Sequence, residues 1–118
     1  MASIMLAEDD DTLRLFLYRA LRKAGHAVTA VGQGDVALQH IRERSYDLLL
    51  TDVVMPVMDG VELARKAEVL HPKMKIMFIT GFAAVVLNPN NETPSGAKVM
   101  SKPFHLKELV DEVECLLA

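Results

Sequence analysis

The sequence predicts a doubly wound α/β domain. Five short apolar runs alternate along the chain with stretches whose apolar residues recur every three or four positions. The runs lack the strict polar alternation of half-exposed strands, so they read as strands covered on both faces, and the stretches between them read as helices. Strands joined by helices build a parallel sheet with right-handed crossovers and helices on either side. A chain of 118 residues fits one domain, and 51% hydrophobic with 25% charged residues supports a packed core. Disordered and fibrous classes are excluded, and residues 1–118 are expected to form a single unit.

The first strand is Ser3-Ile4-Met5-Leu6-Ala7, which stops at acid. Leu13, Phe16, Leu17, Ala20, Leu21 and Ala24 then fall on one wide stripe of a helix, which Gly25 ends as the C′ residue. Ala27 to Val31 is a second strand. Gly32-Gln33-Gly34 breaks it, and Val36, Ala37, Leu38 and Ile41 supply the second helix. Asp47 to Thr51 is the most continuously apolar run, which places it at the centre of the sheet, and Gly60 to Leu70 follows as a helix before Pro72. Lys75 to Ile79 is the fourth strand. After Gly81-Phe82 the pattern weakens: Ala83 to Leu87 is barely one turn, and Asn88 to Gly96 has no apolar stripe and two prolines, so the fourth helix is expected to be short or irregular. Lys98-Val99-Met100 is a brief fifth strand. Leu106, Leu109, Val110, Val113, Leu116 and Leu117 mark a closing amphipathic helix.

Charge and punctuation narrow the function. The net charge is −3, from 13 basic and 16 acidic side chains, so there is no basic field for a phosphate backbone, and nucleic acid is not an expected partner. The start reaches acid at Glu8 without a basic leader, and no apolar run approaches the ~18 residues of a membrane span. A cytoplasmic protein without membrane insertion is expected. Cys115 has no partner for an internal disulfide and reads as a small hydrophobe on the last helix.

In a parallel sheet the strand ends that lead into helices share one rim, where ligands bind. The residues at that rim are Glu8 and Asp9 after strand one, Asp52 after strand three, Thr80 after strand four and Lys102 after strand five. A helix start explains Asp10 or Asp11, since acids cap helix N-termini. It does not explain Asp52, which brings a third carboxylate to the first two. Carboxylates so close disfavour one another's ionisation unless a cation lies between them. An all-oxygen donor set without His or Cys suits Mg²⁺ and disfavours zinc and copper. With Lys102 and Thr80 nearby, the site has the parts to form an acyl phosphate on Asp52, Lys102 and Thr80 holding phosphoryl oxygens.

The ordered set Glu8-Asp9, Thr51-Asp52, Met55-Pro56-Val57-Met58-Asp59-Gly60, Thr80 and Ser101-Lys102-Pro103-Phe104 resembles the receiver domain of two-component response regulators over essentially the whole chain. The resemblance implies a flavodoxin-like sheet of strand order 2-1-3-4-5 and phosphorylation of Asp52 by a histidine kinase or histidine phosphotransfer protein. It also implies Mg²⁺ ligated by Asp9, Asp52 and the backbone carbonyl of Val54, with Glu8 acting mostly through water, and a cis Lys102-Pro103 bond. Enzyme activity would be limited to self-phosphorylation from phosphodonors and autodephosphorylation. Two positions depart from the common pattern. Gly81 stands where Ala or Ser is usual, and Val99 stands where the aromatic of the threonine–aromatic switch usually sits.

A narrower likeness lies in Thr80 to Pro89 and Lys98 to Leu106, which resemble the CpdR-type single-domain regulators of alphaproteobacteria. This implies a phospho-acceptor without an output domain, acting as an adaptor that controls ClpXP proteolysis and its placement at a cell pole in the unphosphorylated form. Some such relatives end in two alanines read by the protease; Leu116-Leu117-Ala118 is similar but not identical.

Two other readings stand beside this one. A phosphoaspartyl hydrolase of the haloacid-dehalogenase type needs Asp-x-Asp-x-Thr after its first strand, a spacing that Asp9, Asp11 and Thr12 miss. A pseudo-receiver binding partners without phosphorylation is weakened by the presence of every carboxylate, Thr80 and Lys102. His26, His40, His71 and His105 are scattered without ligand spacing and read as surface or capping residues. The seven methionines read as core filling, with Met55 and Met58 flanking the Asp52 loop. Phe82 and Phe104 read equally as rim packing or as a partner contact.

Overall fold

The computed structural model describes residues 2–81 and 97–118. Five strands, β1 (Ser3–Ala7), β2 (Ala27–Val31), β3 (Leu48–Asp52), β4 (Lys75–Thr80) and β5 (Lys98–Ser101), form one sheet in the order β2-β1-β3-β4-β5. All pairings are parallel. Four helices lie among the described residues: α1 (Asp11–Lys23), α2 (Gly34–Glu43), α3 (Gly60–Leu70) and α4 (Leu106–Leu117). The short or irregular helix expected after β4 falls on residues outside those described, as does Phe82.

The continuous apolar character of the strands has a direct structural reason. Along β1, Ile4 and Leu6 enter one core while Met5 and Ala7 enter the other; along β4, Met77 and Ile79 oppose Ile76 and Phe78. Alternate residues thus serve different cores, and a residue of either parity must be apolar. One core joins the sheet to α2 and α3 through Leu38, Ile41, Leu63 and Ala67; the other joins it to α1 and α4 through Leu17, Leu21, Leu109 and Val113. β3 sits at the centre with all five residues buried, as its composition requires.

Local signals set most element ends. Asp10 caps α1 by accepting from the Leu13 amide at 3.0 Å, and Gly25 follows its C-cap with φ of 101°, a left-handed conformation that glycine adopts freely. Asp59 caps α3, its Oδ1 accepting from the Glu62 amide at 2.8 Å.

Several boundaries differ from the expectation: β4 ends at Thr80 and β5 at Ser101, each one residue later than expected. β3 runs one residue later, from Leu48 to Asp52; Asp47 stands just before it, its amide donating to the Ser3 carbonyl at 2.8 Å and its side chain accepting from the Ser3 amide at 2.7 Å. Asp52 is therefore the last strand residue, not the first residue beyond it. Gly34, expected only to break β2, opens α2: a Cβ there would lie 2.3 Å from the Met58 carbonyl oxygen, so only a residue without a side chain lets α2 start against the loop after β3. Cys115 lies on α4 but is exposed, so it does not pack as a small hydrophobe. No helix among the described residues is long and apolar enough to cross a membrane.

Candidate functional site

Glu8, Asp9, Asp52, Thr80 and Lys102 follow or end four different strands, and parallel pairing brings those ends to one rim. Glu8 follows β1 and is fully buried; its amide donates to the Val31 carbonyl at 3.0 Å. Asp52 ends β3 and is 5% exposed. Asp9 is exposed, and carboxylate oxygens of Glu8, Asp9 and Asp52 lie within 4.8 Å of one another. Thr80, fully buried, is paired with Ser101 across β4 and β5, and its carbonyl accepts from the Lys102 amide at 2.8 Å. That bond fixes where Lys102 leaves the sheet. The peptide bond that follows, Lys102-Pro103, is cis. Val54 lies two residues past the end of β3, in the loop leading to α3.

The Lys102 ammonium bridges the acids, donating to Glu8 Oε1 at 3.1 Å and to Asp52 Oδ2 at 3.2 Å. Glu8 Oε2 accepts from the Asp10 amide at 3.2 Å. These bonds do not fully compensate Glu8. Its burial first, and then the hydrogen bond it shares with Asp52, push its pKa up from 4.5 to about 7. Lys102 moves the other way from what burial alone would do: burial lowers its pKa, but the contacts with Glu8 and Asp52 outweigh it and raise the value above 10.5. The site holds more negative charge than one ammonium balances. A small divalent cation among three carboxylates would supply the difference, and the donor set is all oxygen. The chemistry of Glu8, Asp9 and Asp52 therefore fits such an ion.

The loop after β3 is braced from both sides. Thr51 Oγ1 donates to the Asp52 carbonyl at 2.8 Å, and the Gly60 amide donates to the Val53 carbonyl at 2.8 Å. A Cβ on Gly60 would lie 1.9 Å from the Asp52 carbonyl oxygen, so α3 begins in contact with the backbone of the central acid. Within this loop Val57 has φ of 70°, an outlying conformation for a β-branched residue.

The chain matches the model of the response regulator receiver domain over residues 4–114. It belongs to the receiver domain family. The receiver is 56% identical over 117 residues to the response regulator receiver protein CpdR of Brucella abortus, a match covering 99% of this chain and 98% of that protein. It is also 35% identical to the sensor kinase CckA of the same organism, covering 98% of this chain but 12% of that protein. The crystal structure of the receiver domain from the hybrid histidine kinase CckA superposes with a TM-score of 0.84 at 32% identity, covering 98% of each chain. The receiver is thus a phospho-acceptor module of two-component signalling, a class that works with histidine kinases, and not a classical enzyme.

The rim residues expected from the sequence come together in space. Other features carry no apolar pattern that would reveal them: the Thr51 hydroxyl, the close approach of Gly60, and Arg14, whose Nη1 donates to the Glu8 carbonyl at 2.8 Å. His26 takes the capping role and not the surface one, its amide donating to the Leu21 carbonyl at 3.2 Å past the end of α1. It is 7% exposed, its Nε2 lies 2.8 Å from Glu114 Oε1, and its Nδ1 accepts from the Ala2 amide at 3.3 Å, tying α4 to the start of the chain. His71 caps α3, with Nε2 2.8 Å from the Ile41 carbonyl. Phe104 packs against the core beside α1 and α4, which supports its reading as rim packing. Val99, at the position of the usual aromatic, is half-buried against the opposite core.

Proposed function

We propose that Asp52 accepts a phosphoryl group from the phosphohistidine of a histidine kinase or histidine phosphotransfer protein, and that the phosphate changes how this domain binds another protein. The placement of Asp52 carries this reading: it sits at the end of the central strand, 3.2 Å from Lys102 Nζ, with Glu8 and Asp9 beside it. A carboxylate is ionised at neutral pH and needs no general base. One Asp52 oxygen attacks phosphorus, the P–N bond breaks, and its electron pair stays on the departing imidazole nitrogen, leaving an acyl phosphate. Lys102 and the Thr80 hydroxyl hold phosphoryl oxygens as charge develops on them. Asp9, Asp52 and the Val54 backbone carbonyl would hold Mg²⁺, with Glu8 acting through water. When bound, Mg²⁺ neutralises charge on the phosphoryl oxygens. Autodephosphorylation by water is the only further reaction this arrangement needs.

The match along nearly the full length of CpdR supports a regulator of the same kind. The finer reading is a CpdR-like adaptor in the cytoplasm whose unphosphorylated form directs ClpXP proteolysis and its polar placement. The test of the site is labelling with a small-molecule phosphodonor in the presence of Mg²⁺. The protein is expected to gain one acid-stable, hydroxylamine-labile phosphate, and Asp52→Asn to gain none. Equal labelling of Asp52→Asn would sink the assignment of Asp52.

A further inference from the structure

The geometry points to Arg14 as the residue that positions the carboxylates of the β1–α1 turn for a divalent cation; this role rests on the cation site proposed above. Asp9 is exposed, so the place of its carboxylate is inherited from the backbone between Glu8 and Asp10. That backbone is clamped. The Glu8 amide is held by the Val31 carbonyl at 3.0 Å, and the Glu8 carbonyl is held by Arg14 Nη1 at 2.8 Å. The guanidinium is itself oriented, because its Nη2 pairs with Asp11 Oδ1 at 2.6 Å, one turn back on α1. A planar fork can make both bonds at once, which an ammonium cannot do in the same geometry.

Gly32 lies beside this fork. A Cβ on Gly32 would lie 3.0 Å from Arg14 Nη1 and 3.9 Å from the Glu8 carbonyl oxygen. Gly32 has no left-handed φ that would otherwise call for glycine. The small residue after β2 thus leaves the path by which Arg14 reaches the end of β1.

The charge of Arg14 makes the role testable, because position and charge predict opposite signs. If the guanidinium acted only as a nearby positive charge, its removal would tighten cation binding to the acids. If it positions the turn, its removal weakens binding. Mg²⁺ is titrated calorimetrically into the unaltered protein, Arg14→Gln and Gly32→Val, with amide hydrogen exchange of Asp9 and Asp10 followed in chelator. Arg14→Gln is expected to weaken Mg²⁺ binding about tenfold, the scale usual for residues that orient ligands, and to speed exchange at Asp9 and Asp10. Gly32→Val, which keeps the charge but crowds the fork, is expected to weaken binding in the same direction and serves if Arg14→Gln does not fold. Unchanged or tighter Mg²⁺ binding by the variants would overturn the role of Arg14 alone. An unaltered protein that takes up no Mg²⁺ would overturn the cation site and this role with it.

Discussion

Val57 shows what the site's loop costs at the scale of one residue. Its φ of 70°, with the Met58 amide donating to the Pro56 carbonyl at 2.8 Å across it, sets a β-branched residue at the centre of a γ-turn, a strain of roughly 1–3 kcal/mol, and it is 78% exposed, so packing returns little of that. Glycine has no Cβ to strain in this conformation, though it loosens the unfolded chain. Val57→Gly is therefore expected to raise stability by about 1 kcal/mol in urea unfolding; a loss of stability would show that Val57 gains more from its surroundings than the backbone strain takes away. The strain itself was not legible, since nothing in Met55-Pro56-Val57-Met58-Asp59-Gly60 marks one residue as left-handed. The acids were legible because Glu8, Asp9 and Asp52 interrupt apolar strands at their ends, where no packing need explains them. Arg14 was not, because an arginine on the polar side of an amphipathic helix looks the same whether it faces water or reaches back 2.8 Å to a strand carbonyl.

Among the elements, α2 and α3 share a device: each begins on a glycine pressed against the loop after β3, Gly34 on the Met58 carbonyl and Gly60 on the Asp52 carbonyl. The helices thereby hold that loop from two sides while their apolar faces fill one core. A methyl group on Gly60 must displace either α3 or the end of β3. Gly60→Ala is expected to lose about 1–3 kcal/mol, the usual cost of overpacking, and to lower the rate of phosphate incorporation because the displaced atom belongs to Asp52. Wild-type labelling by a destabilised Gly60→Ala would show that the carboxylate is placed independently of its own carbonyl. Element order and type were readable from the sequence because alternate strand residues serve two cores and helix stripes serve one. The shift of β3 by one residue was not, since the end of a ladder is set by its pairing with β1 and β4, which no pattern within β3 reveals. Nor was the buried place of His26, which depends on Glu114 arriving from α4.

At the scale of the whole molecule, folding gathers groups far apart in sequence into a site whose charges are unequal, and pH should reveal it. Glu8 titrates near 4.5 in an unfolded chain and at about 7 in the fold, chiefly because burial disfavours its charge. Between those values the folded state binds more protons than the unfolded one, so stability is highest below pH 4.5 as far as Glu8 is concerned and falls as pH rises toward 7. A shift of this size corresponds to roughly 3 kcal/mol. Lys102 does not offset the slope, because its pKa is raised above 10.5 and its contribution is constant until the medium is strongly alkaline. Urea unfolding in chelator is thus expected to show stability declining from pH 5 to pH 7.5, and Glu8→Gln, which cannot ionise, is expected to flatten that decline. Saturating Mg²⁺ should flatten it as well, since a cation among the three carboxylates favours the ionised form of Glu8 at the expense of the proton. A decline of the same size in Glu8→Gln would assign the pH dependence to another group and leave the excess negative charge of the rim without an energetic signature.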